Sequence, residues 1–329
     1  MYEIFSIESK ENKKRKVYFF FFLIFILFLI IYNSAYFQAN NTKVCICTLG
    51  KKENRYIREF VDYYEKYGID KIFLYDNNNI NDERFEDVIQ DYIDKGLVKI
   101  LDWRGKNKSM LRVWEDCYSH NYENFDWLIF YDVDEYIHLK NYNNIKPFLN
   151  EKKFNSCSKI YLNWVIHTDN NLLYYDNRSL HERFPVLEPN ARLNNRSYYS
   201  SVKTILRGHI PNLKFKVMHI FDRKIKGCNG DGEIQELNKL DHMKNPDYEN
   251  FYIDHYYSKS LEEFVEKINK GDVYFENAEF FKMHRIKRFF KINDLTIEKI
   301  KYIEENTGLD LKHYRHKLKE KINLKLNTS

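Results

Sequence analysis

Short apolar runs alternate with amphipathic segments between residues 43 and 134, and this alternation restricts the fold more than any other feature of the sequence. The runs at 43–50, 71–76, 97–103 and 126–134 have the length and residue types of buried strands. Apolar residues at helical spacing follow each of the first three runs. Strands that alternate with helices pair in parallel through crossover connections. The sequence therefore predicts an α/β fold with a mostly parallel sheet flanked by helices.

Acidic residues interrupt the fourth apolar run where its strand is expected to end. Asp132, Asp134 and Glu135 directly follow the apolar residues 127–130. Burying an unpaired carboxylate is costly, so these acids need partners or solvent. In an extended backbone Asp132 and Asp134 point to the same side, and two convergent carboxylates suit Mg²⁺ or Mn²⁺. A solvated acidic turn explains the same pattern and stays open.

Ligands of a parallel α/β sheet bind at the carboxyl ends of its strands. Thr48, Asp76 and Asn77 end the first two predicted strands, so we expect them at the same edge as Asp132 and Asp134. A divalent ion held by two carboxylates keeps positions open for phosphate oxygens, and it neutralises the charge that develops on a diphosphate leaving group. The sequence thus predicts a site for a metal ion and a diphosphate at this edge.

The N-terminus carries a basic segment followed by an uncharged apolar stretch. Basic residues within 10–16 precede residues 17–37, which contain the run VYFFFFLIFILFLIIY. About 20 apolar residues span a bilayer core of about 30 Å, and a basic flank stays in the cytosol. A cleaved signal peptide is the alternative, although its apolar region is shorter and is followed by small residues. We predict a cytoplasmic tail at 1–16, a transmembrane signal anchor at 17–37 and a short stem at 38–42, which makes a type II protein.

Composition and charge narrow the class of protein further. With 329 residues, 43% of them hydrophobic, the chain has room for one large domain or two small ones. The excess of 53 basic over 48 acidic residues is small and spread along the chain, which argues against a nucleic-acid partner.

The five cysteines show neither a CxxC pair nor the spacing of a zinc site. Cys45 and Cys47 alternate inside an apolar strand, so we interpret them as small buried hydrophobic residues. Because the count is odd, at least one thiol is free or pairs with another chain.

Several sequence blocks between residues 43 and 272 match the motifs of a known protein family, and they occur in the same order as in that family. They are CTLGKKENRYIREFVDYYEKYGIDKIFLYDNNN, YIDKGLVKILDW, DWLIFYDVDEYI, YLNW before HERFP, and IDHYYSKSLEEFVEKINKGD. Together they resemble the glycosyltransferases of the Rossmann-like GT-A fold, and within them family 92 and its family-2-like relatives. Lys52 and the segment 165–171 depart from the family pattern, the latter where acceptor recognition is expected. The resemblance implies a GT-A domain at 43–285, and we assign no chemistry to the helical extension at 286–329.

The resemblance implies transfer of a sugar from a nucleotide sugar to a hydroxyl of a glycan or glycoconjugate, with inversion. A UDP-linked donor is expected, with galactose as the first candidate sugar. A glycosyltransferase with the predicted anchor would face the Golgi or ER lumen if its source is eukaryotic.

Site residues are carried over from the family position by position. Asp132 and Asp134 would bind Mn²⁺ or Mg²⁺ and, through it, the donor diphosphate. His255 would complete the metal shell, with His219 as the alternative. For Glu135 the resemblance leaves three roles open: it orients a neighbour, it hydrogen-bonds the donor sugar, or it is structural. The positions expected to contact the nucleotide or its phosphates are Thr48, Glu53, Asp76, Asn77, Asp132, Lys203 and Lys259.

An inverting enzyme needs a general base within hydrogen-bond reach of the acceptor hydroxyl. Glu182 matches a family position and is our first candidate, and Asp169 and Asp254 are the alternatives. A different motif, Ser260 with Glu263, predicts a capping box at the start of the following helix and needs no chemistry.

Two other functions stay open from the sequence. A membrane-anchored, catalytically degenerate glycan-binding protein with the GT-A fold is consistent with the departures at Lys52 and at 165–171. A sugar-phosphate nucleotidyltransferase would use a similar sheet, but it would need a glycine-rich loop after the first strand. Gly50 is the only glycine in the segment TLGKKEN.

Overall fold

The computed structural model describes residues 18–27, 41–106, 110–187, 201–217, 220–222, 224–237, 242–271 and 278–326. Residues 18–27 are helical and exposed. The rest of the predicted anchor at 17–37, the predicted tail and His219 lie outside the described residues. Within the described ranges, no helix is both long and apolar enough to span a bilayer. The anchor at 17–37 stays a prediction.

Strands supply most of the central layer of the molecule. In chain order they are β1 (Val44–Gly50), β2 (Lys71–Asp76), β3 (Val98–Asp102), β4 (Trp127–Phe130), β5 (Glu135–Leu139), β6 (Lys159–Ile166), β7 (Val202–Arg207), β8 (Phe215–Val217), β9 (Ile220–Phe221), β10 (Gly227–Cys228) and β11 (Phe251–His255). Among the described residues, nine of these strands form one sheet, and β8 and β9 form a separate pair.

The large sheet has the strand order β3-β2-β1-β4-β7-β6-β11-β5, and β10 pairs with β6. The pairs that join β1, β2, β3 and β4 are parallel, as the alternation of strands and helices predicts. However, β7 is antiparallel to both β4 and β6, and β5 is antiparallel to β11. The sheet is therefore mixed, and the prediction of a mostly parallel sheet is wrong, because the regular alternation ends after β4.

Helices cover the sheet and extend beyond it. They are α1 (Asn54–Lys66), α2 (Glu86–Asp94), α3 (Met110–Asn121), α4 (Ile145–Leu149), α5 (Leu180–Arg183), α6 (Leu261–Asn269), α7 (Ala278–Ile292), α8 (Ile297–Thr307) and α9 (Lys312–Leu326). The predicted capping box at the start of α6 is confirmed, because the Ser260 and Glu263 side chains each accept a hydrogen bond from the other residue's backbone N–H.

Apolar packing attaches α1 and α3 to the sheet and joins α6 to α7. The apolar stripe of α1, including Ile57 and Phe60, lies in a core with strands of the sheet. Trp114 of α3 packs in a different cluster, which contains Leu128 of β4. A further cluster contains apolar residues of α6, α7, α8 and α9, and in it the Phe264 and Phe289 rings stack with centroids 4.2 Å apart. This packing fixes α7 next to α6.

Two disulfides add covalent links to the fold. Cys47 of β1 pairs with Cys117 of α3, and Cys157 pairs with Cys228 of β10. Cys45 is a buried free thiol. The interpretation of Cys47 as a small hydrophobic residue is therefore wrong, because α3 brings Cys117 to the same face of β1, a contact between residues 70 apart in the sequence.

Candidate active site

A cavity of about 270 Å³ lies at the carboxyl ends of β1, β2 and β4, where the sequence places the ligand site. Its wall includes Glu53 after β1, Asn77 after β2, and Asp132 and Asp134 after β4. His255, the last residue of β11, also lines it. Lys203 of β7 lines it as well, so the sheet brings six of the predicted site residues together around one space.

Lys203 of β7 is the partner of two of the three acids that follow β4. Its Nζ lies 2.7 Å from Oδ2 of Asp132 and 3.2 Å from Oε2 of Glu135. The same Glu135 oxygen accepts a hydrogen bond from the backbone N–H of Asp132 at 3.0 Å. Lys203 is buried and Glu135 has no exposed surface. The positive charge of Lys203 therefore stabilises the two acidic side chains that follow the apolar strand β4.

Burial and neighbouring charges together set the pKa values of Glu135 and Lys203. It raises the pKa of the Glu135 carboxyl to about 8, with Lys203 opposing the shift. Burial alone would lower the pKa of Lys203, but the neighbouring carboxylates, with Asp132 first, raise it above the usual lysine value. The ammonium group of Lys203 therefore stays charged over the whole physiological pH range.

We expect Glu135→Gln to change how stability depends on pH. The pKa of Glu135 is about 8 in the folded chain against 4.5 for an unperturbed glutamate. The folded state thus binds this proton more tightly, so its stabilising contribution is complete below pH 4.5 and is lost as the pH rises through about 8. Urea unfolding at several pH values should show a loss of stability in this window that Glu135→Gln lacks. Parallel profiles for the two proteins would contradict the assignment.

Asp134 lies among three basic side chains. Nζ of Lys267 on α6 lies 2.7 Å from its Oδ2, Nε2 of His255 lies 3.6 Å from its Oδ1, and Nζ of Lys259 lies 3.9 Å away. Burial opposes ionisation, but Lys267 and Lys259 outweigh it and hold the pKa of Asp134 well below its usual range. Burial lowers the pKa of His255 well below the usual histidine value. Asp134 is therefore a carboxylate and His255 a neutral imidazole.

Glu53 forms a further ion pair of the cavity. Lys270, the C-cap of α6, contacts its Oε1, and Nζ of Lys259 lies 3.6 Å from its Oε2. The ammonium group of Lys259 also lies 3.6 Å from the centre of the Tyr56 ring, where a cation is attracted to the aromatic face. Glu53 and Asp134 therefore share Lys259 between them.

The residues of the cavity do not fit the predicted metal site. Among the described residues, no group of three or more His, Cys, Asp and Glu side chains is placed to hold a metal ion. Asp132 and Asp134 each have a lysine ammonium at 2.7 Å. Metal-binding histidines nearly always donate from their second nitrogen, whereas Nδ1 of His255 is buried and has no hydrogen-bond partner in the part of the chain that the structure describes. We therefore derive no step of the reaction through a metal ion.

Two of the predicted nucleotide contacts have other structural roles. Asp76 is buried, its Oδ2 lies 2.5 Å from Arg104, and its Oδ1 accepts a hydrogen bond from the backbone N–H of Asn78. The Asn77 amide donates to the carbonyls of Trp103 and Lys106, and this residue borders the cavity. Asp76 thus orders the chain after β2 rather than lining the cavity.

Thr48 and Lys259 are predicted contacts that are not among the residues lining the cavity. Thr48 is fully buried, and its hydroxyl has no hydrogen-bond partner among the described residues. Lys259 has a backbone φ of +54°, which is uncommon for a residue other than glycine. Such strain concentrates at functional sites, and here it accompanies a side chain that reaches two carboxylates of the cavity.

The three predicted general bases are not among the residues that line the cavity. Glu182 is exposed and forms a capping box with Ser179 at the start of α5. Asp169 is buried with its Oδ2 2.6 Å from Nζ of Lys299. Asp254 contacts Nε2 of His167 at 2.7 Å. The role of base stays a prediction for Glu182, Asp169 and Asp254.

Among the described residues of the cavity wall, sequence reasoning missed five basic ones, of which Lys51 directly follows β1. Lys267 lies on α6 and Lys270, three residues later, is its C-cap, whereas Arg285 and Arg288 lie three residues apart on α7. Residues at this spacing share a helix face, so the spacing was the available signal. Lys267 and Lys270 stand inside the block EEFVEKINKGD, whereas Arg288 belongs to the region to which we assigned no chemistry.

Residues 40–327 match the sequence model of glycosyltransferase family 92. The chain belongs to glycosyltransferase family 92. This membership confirms the resemblance seen in the sequence blocks. It also extends over the helical region after residue 285, which includes Arg288 and the C-terminal half of α7.

Two plant members of family 92 are similar to part of the chain. A family 92 protein of Oryza sativa subsp. japonica is 29% identical over 120 residues, which are 33% of this chain and 20% of that protein. A family 92 protein of Ricinus communis is 32% identical over 98 residues, which are 30% of this chain and 17% of that protein. The matched segments thus span about a fifth of these longer proteins.

Solved structures of S. aureus TarS show a weak overall likeness. The crystal structure of TarS has a TM-score of 0.35 at 10% identity, covering 81% of this family 92 chain and 49% of TarS. The structure of TarS 1–349 in complex with UDP-GlcNAc has a TM-score of 0.35 at 14% identity, covering 81% and 80%.

Proposed function

We propose that this chain transfers a sugar from a nucleotide sugar to a hydroxyl group of a glycan or glycoconjugate. Family membership supports the class of reaction. The observation that carries the proposal is the cavity at the carboxyl ends of β1, β2 and β4, where acidic residues and an excess of basic side chains converge. A UDP-linked sugar is the proposed donor, with galactose as the first candidate.

In the proposed reaction, the acceptor oxygen forms a bond to the anomeric carbon of the donor. The bond between that carbon and the diphosphate breaks, the electron pair leaves with UDP, and the hydroxyl proton passes to a base. Attack opposite the leaving group gives inversion. The basic residues of the cavity, including Lys203 and Lys267, support this step because fixed positive charges stabilise the charge that develops on the diphosphate.

We also propose that the chain is a type II membrane protein that faces an oxidising lumen. The apolar stretch at 17–37 with its basic flank supports the orientation. The two disulfides support the compartment, because disulfides persist in secretory spaces and are rare in the cytosol. Protease protection of the C-terminus in intact microsomes tests this proposal, and digestion without detergent would contradict it.

Release of UDP from a donor panel tests the proposed function. We expect the purified chain to release UDP from at least one of UDP-galactose, UDP-glucose and UDP-N-acetylglucosamine, and to do so faster with its acceptor. Asp132→Asn should lower the rate by about 100-fold, because the orientation of Lys203 in the cavity is lost. The matched control is Asp91→Asn, an exposed aspartate of α2 paired with Arg58, which should keep the wild-type rate.

The same experiment separates the alternatives. If no donor releases UDP and no nucleotide binds, the enzyme proposal fails and a glycan-binding protein with the same fold takes its place. Equal rates for Asp132→Asn and Asp91→Asn would instead show that transfer takes place outside this cavity.

A further inference from the structure

The cavity carries more positive than negative charge. Among the described residues, its lining contains six basic residues and three acidic ones, which gives these residues a net charge of +3 with His255 neutral. The basic residues are Lys51, Lys203, Lys267, Lys270, Arg285 and Arg288. The acidic ones are Glu53, Asp132 and Asp134. A concave site of this sign attracts an anion, because low-dielectric walls focus the field of the fixed charges.

Each carboxylate of the lining already has its own ammonium partner. Lys203 pairs with Asp132, Lys267 with Asp134, and Lys270 with Glu53. A divalent ion bound by Asp132 and Asp134 would have to displace two of these lysines. Lys267 is held in place from a second side, since its Nζ also lies 3.2 Å from the carbonyl oxygen of Tyr257. In a metal-dependent site a divalent ion supplies positive charge, whereas in this cavity lysine side chains supply it.

The α7 helix adds two guanidinium groups to the wall. Arg285 and Arg288 share one face of α7, and both pack on Tyr257, with guanidinium carbons 5.6 and 4.2 Å from the ring centre. An aromatic face orients a guanidinium group, and the planar fork of that group matches two phosphate oxygens. Because Phe289 of α7 stacks on Phe264 of α6, the two arginines and Lys267 belong to one packed unit.

We infer that Lys267, Arg285 and Arg288 bind the diphosphate of the donor and that donor binding needs no divalent ion. This inference rests on the proposed function and names the groups that recognise the donor. It gives the helical region after residue 285 a direct part in donor binding. It also explains why both carboxylates of the predicted metal site have lysine partners.

Titration calorimetry with UDP tests the inference on the purified 329-residue chain. The dissociation constant is measured with excess EDTA and again with Mn²⁺. We expect the two values to agree within about threefold. Arg285→Gln and Lys267→Met should each weaken UDP binding by about 10-fold, because a hydrogen bond to a charged group contributes about 1.5 kcal/mol or more. The control is Lys287→Gln on the exposed side of α7, which should bind UDP as the wild type does.

Three results would overturn the inference. If EDTA abolishes UDP binding and Mn²⁺ restores it, an ion holds the diphosphate, while the proposed function stands. If Arg285→Gln and Lys267→Met both bind UDP like Lys287→Gln, the diphosphate lies elsewhere. If UDP binds under neither condition, the proposed function itself fails. Circular dichroism of Arg285→Gln, whose side chain is only half-buried, shows whether the fold is intact.

Discussion

Arg183→Met is expected to lower the free energy of unfolding by about 3 to 5 kcal/mol, the usual cost of leaving one partner of a buried ion pair alone. Nη1 of Arg183 lies 2.7 Å from Oε2 of Glu263, and each side chain is 1% exposed. The hydroxyl of Tyr56 donates to the other Glu263 oxygen at 2.5 Å. Without Arg183, the carboxylate would remain buried with its charge uncompensated.

The consequence for the site follows from the position of Glu263. This residue belongs to the capping box that begins α6, and α6 carries Lys267 and ends at its C-cap Lys270. Loosening the start of α6 should therefore also weaken the binding of UDP. The sequence alone suggested a capping role for Glu263, whereas its partner Arg183 lies 80 residues away in the chain.

Urea denaturation measures this effect, and Arg178→Met is the matched control. Arg178 pairs with Asp176 on the surface, where an ion pair contributes at most about 1 kcal/mol. Adding Glu263→Gln to Arg183→Met should recover part of the loss, because the amide keeps the capping geometry without a buried charge. Equal losses for Arg183→Met and Arg178→Met would show that the buried pair is not what stabilises this region.

Lys203→Met is expected to reduce UDP release by at least about 100-fold, the scale of losing one preorganised electrostatic group. Lys203 holds Asp132 and Glu135 at once, so its removal frees Asp132 to move and takes one positive charge from the cavity. The loss should lie mainly in turnover. Burial already raises the pKa of Glu135 to about 8, so this carboxyl can take up a proton in the variant, which limits the cost to stability.

Steady-state rates of UDP release, with the melting temperature of each variant, test this expectation. Lys159→Met is a matched control, since Lys159 is a largely buried lysine on β6 that does not line the cavity. Lys203→Arg keeps the charge and should recover part of the rate. Equal rates of UDP release for Lys203→Met and Lys159→Met would show that Lys203 does not contribute to the reaction.

Sequence patterns predicted the local features of this molecule. The order of β1 to β4, the burial of the α1 stripe and the α6 capping box depend on neighbouring residues, whose spacing is visible in the sequence. The carboxyl ends of β1, β2 and β4 also border the cavity as predicted, because parallel strands all end at the same edge of a sheet.

Contacts between distant segments could not be predicted in the same way. Lys203 reaches Asp132 across 71 residues, and Lys267 reaches Asp134 across 133. The first contact depends on the antiparallel insertion of β7 next to β4, and the second on how α6 packs after β11. Neither leaves a periodic signal in the sequence, so the acids after β4 suggested a metal ion where the fold supplies lysines.

A crystal structure of the chain with bound UDP tests the central claim most directly. We predict that the diphosphate lies in the cavity between β1 and α7, with its oxygens about 3 Å from Lys267 and Arg285. A neighbouring cavity shares Lys267 and Lys270 with the first but is lined by Lys52, Arg55 and Glu83 instead of the α7 arginines, and it offers another location for the same ligand. A diphosphate bound there, or anywhere else outside the first cavity, would contradict the proposed site.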